Sequence, residues 1–344
     1  MSFCVAPKLR SVPKAARIPR VALDWKAGSA GDAAVSATIR VNIERGPIGF
    51  VGLGVMGEPI CRNLARKIDR PVFGFDRAAE PLARLREFGV VAADGLTALA
   101  RDCALIFMAL PSGTHVEAVC LGPRGLLGAI RPGTLVVDLG TSPVALTRTI
   151  ADRFTEAGAR YADAPIARTR QAAEDGTLSV MVGADAATFA ELRPLLATFA
   201  ADITHCGGVG AGQIVKILNN MVLIETVVAL SEAIAVAKRA GLDARVLFET
   251  LMKGSADSFA LRNHGMKAIL PGAFPERAFS TDYALKDLSY ALALAADMGV
   301  TMPGAKIADD LLRATSERGY GAQYWPVVSR IIDDAAGATP PERS

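Results

Sequence analysis

Ile48-Gly49-Phe50-Val51-Gly52-Leu53-Gly54-Val55-Met56-Gly57 is the stretch on which the reading of this chain turns. Ile48 to Leu53 is an apolar run of strand length, and Val55 to Ile68 carries apolar residues at helical spacing. Between them, Gly52, Gly54 and Gly57 stand in the pattern G-x-G-x-x-G. In a chain with 32 glycines the bare pattern is weak, and a simple strand-to-helix turn would satisfy it. A strand before it and a helix after it give the pattern its meaning. The first glycine permits a tight turn, the second lets a pyrophosphate approach bare backbone, and the third lets helix and strand pack closely. Phosphate then lies at the helix N-terminus. Gly52, Leu53, Gly54, Val55, Met56 and Gly57 are accordingly the expected dinucleotide loop.

Outward from this loop, strand and helix signals alternate. Val72 to Asp76, Ala104 to Ala109, Thr134 to Asp138 and Ser179 to Val182 read as strands, and Glu80 to Phe88 as a helix. Short apolar runs alternating with helices imply a mostly parallel sheet covered on both faces. After about Cys206 the strand signals stop. Ala211 to Ala240 reads as one long helix closed by Gly241, followed by helical patterns at Ala244 to Met252, Asp282 to Met298 and Ala305 to Arg318. The expected fold is therefore α/β: an N-terminal Rossmann dinucleotide-binding domain over 47–208, then an all-helical domain over 209–334, joined by the long helix. Residues 335–344 read as a loose tail. Residues 1–46 are a basic extension, with Lys8, Arg10, Lys14, Arg17 and Arg20 before the first acid, Asp24. Pro13 and Pro19 interrupt the amphipathic helix that an organellar transit segment requires, so a disordered extension or an upstream start is the expectation, with import left open.

Composition narrows the function. The 344 residues are 51% hydrophobic and 21% charged, enough apolar material for a large core. Lys and Arg total 38 against 35 Asp and Glu, too balanced for binding nucleic acid or a membrane surface by bulk charge. Five scattered cysteines read as small hydrophobes in a reducing compartment, which points to a cytoplasmic protein. Three histidines without ligand spacing give no expected metal site.

Two further groups carry chemistry. Asp76 closes the second strand, where an acid holds the adenosine ribose hydroxyls, and its charge favours NAD; the neighbouring Arg77 leaves NADP open. Lys216, Asn219 and Asn220 lie early in the long helix, with Lys216 and Asn220 on one face. Polar groups on an apolar helix need partners, and a hydrogen-bonded core cluster would supply them. Their place just after a nucleotide-binding domain instead suggests a substrate crevice, where lysine is the best available proton carrier. His205 and His264 read as structural or surface residues, Glu225 as a helix-interface residue, and Trp325 as an anchor for the last helix.

Taken together, five ordered motifs from Ile48 to Ile332 resemble the β-hydroxyacid dehydrogenase family, which includes 3-hydroxyisobutyrate dehydrogenase and tartronate semialdehyde reductase. The opening loop with its methionine is similar to the family signature. Val137-Asp138-Leu139-Gly140-Thr141 resembles a strand-end Thr motif near the nicotinamide, and Asp163-Ala164-Pro165-Ile166 with Gly176-Thr177-Leu178 resembles the substrate loop. Gly210-Ala211-Gly212-Gln213 leading to Lys216, Asn219 and Asn220 resembles the catalytic helix, and Lys286-Asp287-Leu288 a late lysine motif. The resemblance implies NAD(P)-dependent interconversion of a short 3-hydroxy acid and its semialdehyde or keto acid. It implies Lys216 as acid/base, Asn219 and Asn220 orienting substrate, and Leu110, Pro111, Thr141 and Lys286 at the cofactor. It also implies a homodimer or homotetramer.

One departure bears on the substrate. The family's usual Ser-Gly-Gly after Asp-x-Pro-Val is here Ala167-Arg168-Thr169, similar to the Gly-Arg-Thr of sulfolactaldehyde reductases. Ala167, Arg168 and Thr169 are the expected substrate loop, with Arg168 gripping a carboxylate or sulfonate through two parallel hydrogen bonds. The alternative is that Arg168 faces solvent or a neighbouring subunit. Leu223 stands where the sulfolactaldehyde enzymes have a serine. 6-Phosphogluconate dehydrogenase is disfavoured by the short helical half and by Asn219-Asn220, and imine reduction by the presence of Lys216. A catalytically silent nucleotide-binding relative, acting as a sensor or protein-binding module, is the competing class.

Overall fold

The computed structural model describes residues 46–276 and 278–335. The basic extension over 1–45 and the tail over 336–344 lie outside the described residues. A nine-stranded sheet forms the N-terminal half. Its strands are β1 (Ile48–Val51), β2 (Val72–Phe75), β3 (Val90–Ala92), β4 (Leu105–Met108), β5 (Leu135–Asp138), β6 (Arg160–Asp163), β7 (Ile166–Ala167), β8 (Leu178–Gly183) and β9 (Ala200–Gly207). The first six run parallel in the order β3-β2-β1-β4-β5-β6, with Ile48 opposite both Val72 and Leu105. β1, β4 and β5 are buried along their whole length, which is why they read as unbroken apolar runs.

β8 runs antiparallel to β6 and β7, and β9 pairs parallel with β8. β3, β6, β7 and β9 were not expected from the sequence. β3 and β7 have only three and two residues, while β6 carries Arg160 and half of β9 is exposed, so none shows a strand-length apolar run. Seven helices belong to this half: α1 (Gly57–Lys67), α2 (Glu80–Leu85), α3 (Leu96–Asp102), α4 (Gly113–Leu121), α5 (Val144–Glu156), α6 (Arg170–Asp175) and α7 (Ala186–Leu196).

Beyond β9 the chain is helical: α8 (Ala211–Arg239), α9 (Ala244–Leu251), α10 (Thr281–Asp297), α11 (Pro303–Thr315) and α12 (Val328–Ala335), with a π-helical segment at Leu261–Ile269. The 29 residues of α8 extend about 43 Å. The helix stops at Gly241, whose φ of +78° is left-handed, and the amides of Gly241 and Leu242 close onto the carbonyls of Lys238 and Ala237. α8 is long and apolar enough to cross a membrane by length and composition, and half of its most apolar window is buried within the protein. That burial is against the helical core of Ile224, Val227, Phe248, Leu288, Leu312 and Trp325. Trp325 is fully buried just before α12 and anchors it as expected. Val144, Ile217 and Ala291 form a small apolar cluster where α5 of the sheet half meets α8 and α10.

Candidate active site

The glycine loop adopts the geometry its spacing requires. Gly52 has a φ of +88°, so a side chain there would be strained. A Cβ on Gly57 would overlap the carbonyl oxygen of Gly52, so only glycine lets α1 start this close to β1. A Cβ on Gly54, by contrast, would meet nothing within 4 Å. Packing therefore does not require Gly54; the exposed backbone there is a cradle that a methyl group would fill, and it fits a pyrophosphate. Leu53 is buried and Val55 exposed beside it, while Met56 packs on the sheet core. The Asp76 carboxylate accepts hydrogen bonds from the amides of Leu53 (2.6 Å) and Ala78 (2.8 Å), so it braces the loop. Arg77 is exposed next to it. These residues fit NAD(P), and the cofactor would lie across the C-terminal ends of β1, β4 and β5.

Two loops from those strand ends complete the cradle. Leu110 is half-buried and Pro111 exposed after β4, and Thr141 is buried after β5. α10 closes onto the first loop through two hydrogen bonds, and the lysine of one also stacks over a ring of its own helix. Lys286 Nζ donates to the Pro111 carbonyl at 2.9 Å, the Gly113 amide donates to Tyr290 Oη at 3.3 Å, and Lys286 Nζ lies 3.9 Å from the centre of the Tyr283 ring. Lys286, expected at the cofactor, thus contacts the loop that carries Leu110 and Pro111.

Lys216 is partly buried on α8, with no hydrogen-bond partner among the described residues. Burial lowers its pKa from the usual lysine value; the nearby Asp287 carboxylate opposes that shift and Lys286 adds to it. Asn220 is buried and donates to Asp287 Oδ2 at 2.6 Å, while Asn219, exposed, donates to Asn220 Oδ1 at 3.1 Å. The other Asp287 oxygen lies 3.0 Å from Lys286 Nζ. Asp287 therefore holds Lys286 and Asn220 directly, reaches Asn219 through Asn220, and acts on Lys216 by its charge, yet sequence reasoning gave it no role. Its place in the Lys286-Asp287-Leu288 motif was the available signal, but its partner Asn220 is 67 residues away.

The loop expected to bind substrate also makes contacts of its own. Ala167 ends β7, and Thr169 caps α6 by accepting from the Ala172 amide at 3.3 Å. Arg168 has a φ of +88°, a left-handed conformation that glycine adopts without penalty. Its guanidinium donates to the Thr177 carbonyl at 2.6 Å and to the Asp202 carboxylate on β9. The side chain is 41% exposed, which agrees with the alternative of a solvent-facing arginine as far as exposure goes. Among the described residues, two of its five N–H groups are engaged internally. The other residues with bland readings fit them. His205 donates or accepts at the Ala184 carbonyl and stacks on Phe189; His264 is buried beside Tyr324; Glu225 lies against Gly304 on α11.

A polar seam ties the sheet to α8. Asp163, fully buried at the end of β6, accepts from the amides of Gly210 (2.6 Å) and Gln213 (2.8 Å), capping a helix whose own N-cap is a glycine. A Cβ on Gly212 would lie 2.8 Å from Asp163 Oδ2, and one on Gly183 would overlap the carboxylate. Both glycines are needed to admit the acid. Burial raises its pKa to about 6, and burial also raises that of Asp138. Among the described residues no group of three or more His, Cys, Asp or Glu could hold a metal ion.

Comparison with known proteins finds relatives that span both halves of the chain. Residues 47–208 match the family model described as the NAD-binding domain of 6-phosphogluconate dehydrogenase. Residues 210–325 match the model described as the NAD-binding domain of NADP-dependent 3-hydroxyisobutyrate dehydrogenase. The chain is 33% identical to 2-(hydroxymethyl)glutarate dehydrogenase of Eubacterium barkeri, over 85% of this chain and 96% of that one. It is 34% identical to 3-hydroxyisobutyrate dehydrogenase of Pseudomonas aeruginosa, over 77% of this chain and 90% of that one. Among solved structures, 3-hydroxyisobutyrate dehydrogenase of Mycobacterium tuberculosis with L-serine superposes with a TM-score of 0.75 at 30% identity, covering 84% of this chain and 99% of that one.

Proposed function

The chain belongs to the β-hydroxyacid dehydrogenase family, and on that premise we propose that Lys216 is its acid/base. The protein is an NAD(P)-dependent oxidoreductase that interconverts a short hydroxy acid and the matching semialdehyde or keto acid. The observation that carries the role of Lys216 is its setting: a partly buried amine, unpartnered among the described residues, held beside Asn220 and Asp287 on the helix that faces the cofactor loops.

In oxidation, the neutral amine of Lys216 accepts the hydroxyl proton while the carbinol hydrogen leaves as hydride. In reduction, the ammonium returns that proton to the carbonyl oxygen. Bound NAD(P) supplies the hydride acceptor or donor. Burial favours the neutral amine, and Asp287 keeps the ammonium form accessible, so the group serves both directions. Asn219, on the exposed side of the chain of amides, orients the substrate, and Asn220 is held by Asp287 to do the same. NAD is the preferred cofactor because the Asp76 carboxylate would face a 2′-phosphate. Arg168 supplies the anion contact, using N–H groups left over from Thr177 and Asp202. The substrate is therefore an anionic hydroxy acid or semialdehyde. We place the enzyme in the cytoplasm as a homo-oligomer.

The test follows NADH and NADPH oxidation at 340 nm with succinic, tartronic and methylmalonic semialdehydes, glyoxylate and sulfolactaldehyde, with Lys216→Ala run alongside. Turnover that falls at least 10²-fold in the variant, the size expected for a general acid/base, supports the assignment. Wild-type turnover in Lys216→Ala would overturn it.

A further inference from the structure

Gln213 is fully buried one turn before Lys216, and nothing in the proton transfer uses it. Its side-chain amide is spent entirely on the loop that follows β5. Oε1 accepts from the Ser142 amide at 3.1 Å, and Nε2 donates to the Gly140 carbonyl at 2.9 Å. The two contacts bracket Thr141, pairing with its neighbours as one strand pairs with another. Nε2 also lies 3.5 Å from Asp138 Oδ2. Asp138 in turn holds the same loop from the strand side, accepting from the Gly140 amide and the Ser142 hydroxyl, each at 2.8 Å. On its backbone side, the amide of Gln213 is held by Asp163. One residue thus fixes the first turn of the lysine helix against both β5 and β6.

We propose that Gln213 is a positioning residue that sets the separation between the Thr141 loop, beside which the nicotinamide would lie, and Lys216. The inference rests on the assignment of Lys216 as acid/base. It follows from rigidity. Lys216 is three residues along the same helix, less than one turn away, so displacing the first turn displaces the amine by a similar amount. Hydride and proton transfer need reacting atoms held to a fraction of an ångström. A glutamine suits this place because it both donates and accepts; no charged side chain does both at neutral pH.

The experiment uses Gln213→Glu, which keeps the shape but replaces the donor with a second acceptor facing the Gly140 carbonyl and Asp138. The charged groups around it are Asp138 on β5, Asp163 on β6, Arg148 of α5 beside Gly210, Lys216 on the same helix, and Lys286 of α10, whose charge acts on Asp138. At pH 8 kcat is expected to fall roughly 10²-fold, the cost of about 1 Å of misplacement. KM for NADH should rise far less than kcat falls, because the glycine loop that cradles the pyrophosphate is untouched. NADH dideuterated at C4, with the best aldehyde of the panel, should give a larger isotope effect on kcat than in the wild type, as hydride transfer becomes limiting. As pH falls, the protonated glutamic acid regains a donor, and the variant-to-wild-type kcat ratio should climb back toward one. Gln213→Met, which retains volume and has no donor, should show the loss without the recovery. Wild-type kcat and isotope effect in Gln213→Glu at pH 8 would overturn the inference, as would a loss in that variant that does not recover in acid. If Lys216→Ala stays active, the acid/base assignment fails instead, so the two failures are distinguishable.

Discussion

Replacing Arg168 by glycine separates the arginine's role in the fold from its role toward substrate. At a φ of +88° the arginine backbone sits in the left-handed region, which costs an L-residue about 1 to 2 kcal/mol relative to its usual conformations. Glycine removes that strain but adds about 0.5 to 1 kcal/mol of unfolded-state entropy. The substitution also deletes the hydrogen bonds to Thr177 and Asp202. The guanidinium is 41% exposed and Asp202 59%, so solvent screening leaves that pair worth about 0 to 1 kcal/mol. These terms nearly cancel, and stability in urea should change by no more than about 1 kcal/mol. The effect on substrate is of a different size. A lost charge-assisted contact of about 1.5 to 3 kcal/mol raises KM for carboxylate or sulfonate substrates roughly ten- to a hundredfold. Steady-state kinetics with the best anionic aldehyde and with an uncharged aldehyde of similar size reads this directly. An anionic-substrate KM within threefold of the wild type would refute the reasoning, and would leave Arg168 as a strap between β7 and β9.

Two further experiments probe the loop and the buried acids. Gly54→Ala should fold with an unchanged melting temperature, because its methyl meets nothing within 4 Å, yet weaken NAD(P) roughly tenfold or more by isothermal titration. Gly57→Ala should instead lower the melting temperature, since its methyl would overlap the Gly52 carbonyl. The buried acids and bases oppose one another in pH. Asp163, raised to about 6, favours the folded state below about pH 4, and that contribution is lost as pH rises through 6. His264, lowered by burial to about 4, favours folding above pH 6.5, and that contribution is lost as pH falls toward 4. Each shift of two units or so is worth on the order of 3 kcal/mol, and the signs are opposite. Relative to wild type, Asp163→Asn should gain stability with rising pH between 4 and 6.5, and His264→Gln should lose it. Parallel melting curves across that range for wild type and both variants would contradict the assignment.

Several features were legible in the sequence because they are local. The glycine spacing, the apolar runs of β1, β4 and β5, and the unbroken helical pattern of α8 each depend on neighbours within about a turn or a strand. Gly241 marked a helix end for the same reason. By these local signals, and by the order of its motifs, the sequence determined the α/β class, the change from sheet to helices near Cys206, and the candidate proton carrier. Only tertiary structure decided what holds Lys216 in place. Asp287 meets Asn220 across 67 residues, Gln213 reads Gly140 and Ser142 across more than 70, and Asp163 caps α8 from 47 residues upstream. Neither side chain of such a pair shows a pattern in its own segment. Arg168 makes the same point from the other direction: its chemistry suggested an anion, but its backbone angle and its hold on Asp202 come from the packing of β7, β8 and β9. Periodicity and spacing report on contacts along the chain, whereas the satisfaction of buried polar groups is settled between elements that meet only after folding.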